Sequence, residues 1–287
     1  MKYLSVLLLL LAAPSSFAAG PSDRTLSVNG VELHFRIYAG DDRTILLEAG
    51  SGLNADTWNE TASLLAEATG ATVISYDRAG MGSSSLPRDT YDVYEEVARL
   101  HAGLYELGRT RQLILVGHSY GGFLIHLFGN LYPEAVIGLV YVDANTALGI
   151  DGIGGAAVVA GPRIKANDVP NPTKEQQAGL RLSRAFAATL ETVRRYPPLC
   201  GVPVAVISSG KYASSVSPAF IAGWRRGHID LVDRTHGKYF IAQDAGHMVH
   251  KDDPGIIRES TALVAAAAGR ARPRIGTLSR ACEPFDW

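Results

Sequence analysis

Six short segments, at residues 44–48, 71–76, 112–116, 136–142, 202–207 and 239–242, carry apolar residues in consecutive rather than alternating positions. A strand of this kind has no face to give to water, so it belongs in a sheet covered on both sides, and helices are what cover a parallel sheet. The intervening stretches fit that role. Val93, Val97, Leu100, Leu104 and Leu107 recur at steps of four and three, which makes one apolar stripe on a helix between the second and third of these strands. Asp253 and Pro254 supply an N-cap and a first helical residue for an Ala-rich helix running to about residue 268. Ahead of the first parallel strand, residues 25–38 alternate on either side of Asn29-Gly30, a two-residue hairpin signal. The pattern predicts an α/β fold: a mostly parallel, doubly wound sheet opened by an antiparallel hairpin.

One connection departs from this rhythm, because the stretch between residues 142 and 202 is far longer than an ordinary crossover. Residues 145–200 are read as an inserted lid. Its second half places Leu182, Phe186, Leu190 and Val193 at helical spacing, with Arg194 and Arg195 where cations suit the helix C-terminus. The stripe is expected chiefly to pack the insert onto the main sheet, with the lining of an acyl pocket as a secondary role. The chain then divides into a core at 19–144, the lid at 145–200, the rest of the core at 201–270 and a tail at 271–287.

Met1-Lys2 precedes an apolar run at residues 3–13 and the small-residue stretch 14–19, the layout of a secretory signal peptide. Ser16 and Ala18 suit the −3 and −1 cleavage positions, giving a signal peptide at 1–18 and a mature start at Ala19. The run is short of the ~20 residues that a spanning helix needs, and no other stretch is apolar enough to span a bilayer, so a secreted or periplasmic protein without an integral span is expected. In an oxidising compartment Cys200 and Cys282 can form one disulfide; two free thiols are the alternative. A formal net charge of −1 gives no electrostatic reason to expect nucleic acid as a partner.

The chemistry concentrates at Gly117-His118-Ser119-Tyr120-Gly121, which follows the apolar run 112–116 and precedes a helix-like segment at 123–131. A sharp strand-to-helix turn puts its central residue under backbone strain, and glycines beside it remove side chains that would clash. The Ser119 hydroxyl is then held at the strand's carboxyl end, and the Tyr120 amide is aimed at a reacting carbonyl oxygen. Further motifs accompany it: Glu48-Ala49-Gly50-Ser51-Gly52 with Trp58 downstream, Tyr76-Asp77-Arg78-Ala79-Gly80-Met81-Gly82-Ser83, Tyr132-Pro133-Glu134 leading into the strand before Asp143, and Ala245-Gly246-His247.

On these motifs and their order, the sequence resembles the α/β-hydrolase superfamily, specifically its serine hydrolase branch with a lid after the sixth strand, over roughly residues 25–269. The resemblance implies the α/β-hydrolase fold, Ser119 as nucleophile and His247 as the base that a hydroxyl needs. His118, His126 and His250 are the competing histidines. His250 invites a metal-pair reading with His247, but no cluster of further ligands accompanies it, and neither a metal ion nor another cofactor is expected. The acid departs from the common placement, since residues 208–215 contain no carboxylate. Asp143, at the end of the sixth strand, is the family's alternative placement, with Asp230 and Asp233 as competitors; the acid would fix the imidazole tautomer. A second oxyanion donor would be the Ser51 backbone amide, where the family usually has His-Gly ahead of the donor. Glu48, at the end of a central strand, needs a partner, and Arg78 is the candidate, against simple solvent exposure.

The expected activity is hydrolysis of carboxylic esters through an acyl-enzyme on a small-molecule acyl substrate. Competing expectations are a ligand-binding protein without turnover, and acyl transfer, amide hydrolysis or cofactor-free perhydrolysis at the same residues.

Overall fold

The computed structural model describes residues 20–156, 170–278 and 280–287. The expected signal peptide lies outside these residues, as does part of the expected lid.

The hairpin forms from β1 (Ser22–Val28) and β2 (Val31–Tyr38), paired antiparallel from Val28↔Val31. Its two turn residues, Asn29 at φ 48° and Gly30 at φ 76°, take the left-handed conformations that a tight two-residue turn demands. Then come β3 (Asp41–Glu48), β4 (Ala71–Tyr76), β5 (Leu113–His118), β6 (Val136–Val142), β8 (Val204–Ser209) and β9 (Lys238–Ala242). The eight strands line up as β1-β2-β4-β3-β5-β6-β8-β9, antiparallel at β1/β2 and β2/β4 and parallel elsewhere. β4 and β5 flank β3 on opposite sides, so the winding reverses between β3 and β5. In an open α/β sheet, ligands bind in the crevice at the strands' carboxyl ends where that reversal occurs.

Both sheet faces are covered, as the consecutive apolar residues require. On one side α2 (Val93–Glu106) and α3 (Gly121–Leu131) bury Val97, Leu100, Phe123 and Leu127 against Leu46, Leu115 and Leu139. On the other, α1 (Asn59–Thr69) and α8 (Pro254–Ala267) bury Leu65, Ile257 and Val264 against Ile45, Val116 and Val140. Asp92 caps α2, accepting from the Tyr94 and Glu95 amides, and Asp253 caps α8.

The long connection holds α4 (Ala147–Gly152), α5 (Lys174–Arg194) and the two-residue strand β7 (Leu199–Cys200). A capping box between Thr173 and Gln176 starts α5. Leu182, Phe186, Leu190 and Val193 are buried in the α3-side core, with Phe186 5.8 Å from Phe123 between ring centroids. The final segment is tied down: β10 (Arg274–Ile275) pairs antiparallel with β7, and Cys282 forms a disulfide with Cys200. α6 (Pro218–Thr235) precedes β9, and the short α7 (Val249–Asp252) precedes α8. No helix among the described residues is long and apolar enough to cross a membrane.

Candidate active site

Ser119 sits where β5 turns into α3, and the residues around it make the turn. Its φ is +52°, a left-handed conformation that costs a non-glycine residue about 1–3 kcal/mol. Glycine is required on either side. A Cβ on Gly117 would stand 2.7 Å from the Gly121 carbonyl oxygen, and one on Gly121 would stand 2.5 Å from that of Glu48. The Ser119 amide donates to the Val142 carbonyl at 3.2 Å, and the Asn145 amide donates to the Ser119 carbonyl at 2.8 Å, which ties the turn to the end of β6. The hydroxyl is left partly exposed at the carboxyl end of the sheet, with Tyr120 at the head of α3.

His247 arrives from the loop after β9. Its Nε2 lies 2.9 Å from Ser119 Oγ, and its Nδ1 lies 2.7 Å from Asp143 Oδ2. A carboxylate can only accept, so Nδ1 carries the proton and Nε2 accepts from the serine hydroxyl. Asp143 follows β6 with φ +39° and is buried. Its other oxygen accepts from the Ser209 amide and from Trp224 Nε1, both at 3.0 Å. Burial pushes the Asp143 carboxyl up, but the His247 hydrogen bond, the neighbouring His228 and the Ser209 amide outweigh it and hold it at about 2. Asp230 and Asp233 lie on α6, where Asp230 sits 4.0 Å from Arg234, while Asp143 occupies the histidine's Nδ1.

The remaining histidines are engaged elsewhere. His118 turns away from the serine, and its Nε2 donates to the His247 carbonyl at 2.8 Å, anchoring the histidine loop to β5. Burial, with His247 and His250 beside it, holds His118 well below the ordinary imidazole range. His250 meets the Thr57 hydroxyl at 2.6 Å and is pushed down to about 4 by burial. His126 donates to the Tyr196 carbonyl from α3. Among the described residues, no three His, Cys, Asp or Glu side chains are arranged to hold a metal ion.

The loop after β3 emerges beside the serine turn, because β3 and β5 are paired as far as Glu48↔Gly117. Glu48 is buried, not solvent-exposed: Arg78 Nη1 donates to its Oε1 at 2.7 Å, and the Tyr76 hydroxyl donates to its Oε2. The same guanidinium donates to the carbonyls of Ala49 and Gly50. Next to Arg78, the buried Asp77 accepts from the amides of Ala55 and Ser83, at 2.8 and 2.7 Å, and a Cβ on Gly82 would collide with its carboxylate. The Asp-Arg-Ala-Gly-Met-Gly motif is thus a loop folded around one carboxylate.

Trp224 and the Ser209 amide escaped the sequence, and His118 entered it only as a competing histidine, not as an anchor of the histidine loop. Each acts across a wide chain separation (81, 66 and 129 residues), and of the first two only the tryptophan left a local trace, as a lone large aromatic between the small residues Gly223 and Gly227.

The sequence profile of the Alpha/beta hydrolase family matches residues 45–260. The uncharacterized protein YqjL of Bacillus subtilis is 24% identical over 82% of this chain and 88% of its own length. The uncharacterized protein Rv2715 of Mycobacterium tuberculosis is 36% identical over 46% of this chain, a match that spans only 37% of that protein. Among solved structures, a membrane phospholipase A described as a bacterial virulence factor superposes with a TM-score of 0.57 at 21% identity, covering 88% of each chain.

Proposed function

The chain belongs to the alpha/beta hydrolase family, and from that premise we propose that it is an exported serine hydrolase that cleaves carboxylic esters through an acyl-enzyme intermediate. The observation that carries the proposal is the hydrogen-bonded line Ser119–His247–Asp143, with the serine on a strained turn at the point where the sheet's winding reverses. Ser119 Oγ attacks the ester carbonyl carbon while its proton passes to His247 Nε2. The carbonyl π pair moves onto oxygen, where the amides of Tyr120 and Ser51 receive it. Collapse breaks the bond to the alkoxy group, which leaves as the alcohol with the proton from His247. Water then enters, loses a proton to His247 and attacks the acyl carbon, and collapse returns the proton to Ser119. Asp143 stabilises the imidazolium in both half-reactions and keeps the ring in register.

Residues 145–200 are proposed as the lid that sets which acyl groups fit. Export is proposed from the signal-peptide layout of residues 1–18, and the Cys200–Cys282 disulfide is in keeping with an oxidising compartment. A fluorophosphonate probe tests the reading. One equivalent should label the wild type and none should label Ser119→Ala, and p-nitrophenyl esters of graded chain length should turn over only with the wild type. A folded wild type that neither takes the probe nor cleaves any ester would leave a ligand-binding protein in place of the enzyme.

A further inference from the structure

Arg78 is a charge placed where charges are costly, since removing a guanidinium from water is tolerated only when it is paired and its donors are filled. The Glu48 carboxylate supplies the pairing at 2.7 Å; burial pulls Arg78 down, but Glu48 together with Tyr76, Tyr91 and Glu96 outweighs it and keeps the guanidinium protonated. The remaining bonds are more specific than pairing requires. Nη1 also donates to the Ala49 carbonyl and Nη2 donates to the Gly50 carbonyl, both at 2.5 Å, so the rigid fork grips two consecutive peptides of the loop after β3.

The second of those peptides is the one whose amide belongs to Ser51. In a trans peptide the C=O and N–H point in opposite directions. Holding the Gly50 carbonyl toward the guanidinium therefore turns the Ser51 N–H away from it. A carbonyl bonded to a cation also polarises its peptide, and hydrogen bonds in such a chain strengthen one another. The other proposed oxyanion donor belongs to Tyr120, whose ring centroid lies 5.8 Å from the Arg78 guanidinium carbon. Tyr76 fixes the far oxygen of Glu48, so the ion pair is itself anchored to β4.

We propose that Arg78, held by Glu48 and Tyr76, is a positioning residue that acts through the Gly50–Ser51 peptide to aim the Ser51 amide at the oxyanion and strengthen it as a donor. This role rests on Ser119 being the nucleophile, and the test separates the two. A trifluoromethyl ketone carrying 13C at its carbonyl adds Ser119 Oγ to form a hemiketal, whose ionisation is followed by NMR. Arg78→Lys keeps a cation against Glu48, but one ammonium cannot reproduce the planar fork on both carbonyls. We expect kcat for a p-nitrophenyl ester to fall about 10-fold or more, KM to stay within about twofold, and the hemiketal to ionise at higher pH than in the wild type. The double variant Glu48→Gln/Arg78→Met removes both buried charges together and should lose about 100-fold in kcat, the scale of one oxyanion donor. If either variant, folded by circular dichroism, matches the wild type in kcat and in hemiketal ionisation, the role of Arg78 is overturned while Ser119 stands. If the wild type forms no adduct, the nucleophile assignment falls and this role falls with it.

Discussion

Ser119 and Asp143 both hold positive φ, at +52° and +39°, without being glycine. Such conformations persist only where the surroundings over-determine them. Here the Ser119 amide is bound to Val142, the Ser119 carbonyl to Asn145 and the Asp143 amide to the Ile207 carbonyl, so each strained residue is fixed by the end of a neighbouring strand. Asp143→Asn keeps the shape of the side chain but offers His247 an amide in place of a carboxylate. Loss of the preferred tautomer should lower kcat about 10³–10⁴-fold, measured on a p-nitrophenyl ester, with the far-ultraviolet circular dichroism unchanged. The pH dependence has a definite sign. The folded carboxyl, at about 2, lies below the unfolded value near 4. Its ionisation therefore stabilises the fold above pH ~4, and that contribution is lost as the pH falls from ~4 through about 2. Held at about 2, Asp143 stays ionised above pH ~4, so it should add no step of its own to the pH profile of kcat/KM above that pH in a stopped assay. The turns that carry Ser119 and His247 were legible in the sequence because adjacent residues encode them. The partners of Asp143 were not, because Trp224 and Ser209 reach it only after the sheet has formed.

The unit that presents the serine is an element pair, β5 running into α3, packed so closely against β3 that side chains are excluded. Gly121→Ala would bring a methyl to 2.5 Å from the Glu48 carbonyl oxygen and 2.9 Å from that of Ala49. Both are backbone atoms that cannot swing aside. The substitution should cost about 1–3 kcal/mol in urea unfolding, as overpacking does, and slow fluorophosphonate labelling at least about 10-fold as the serine turn shifts. Elements with an aliphatic stripe were readable in the sequence: α2 spans the predicted Val93, Val97, Leu100 and Leu104, and α5 buries the predicted stripe. α6 was not, because its buried face is Gly223, Trp224, Gly227, His228, Leu231 and Thr235, with one aliphatic residue in six positions. That composition has a packing reason. Gly223 and Gly227 lie against the backbone of Gly152 and Gly149 on α4, an approach that larger side chains would prevent. The carboxylates that compete with Asp143 for the acid's role, Asp230 and Asp233, are carried on this helix.

Across the whole molecule, the proposed nucleophile, acid and base come from the ends of β5, β6 and β9, and the sheet order brings these ends to one edge of the structure. The mostly parallel, doubly wound character of the sheet was legible in the sequence, because consecutive apolar strands alternate with helices. Of the fastenings of the C-terminal segment, the Cys200–Cys282 bridge was among the expectations from the sequence, whereas the β7/β10 pairing was not, because two-residue strands leave no periodic signal. The Cys200–Cys282 bridge joins residues 82 apart in sequence, and closing a loop of that length removes freedom from the unfolded chain worth about 4 kcal/mol. Replacing both cysteines by serine should lower the unfolding free energy by about that amount in urea, while kcat at 25 °C changes less than about twofold, since neither hydrogen bond of the line Ser119–His247–Asp143 passes through the bridge. The same bridge has a topological effect. Cys200 lies on the chain portion that bears Ser119 and Asp143, and Cys282 on the portion that bears His247. A protease that nicks the mostly exposed stretch at residues 211–216 would therefore create two polypeptides that stay fastened together even in denaturant and part company there only when a reductant is added.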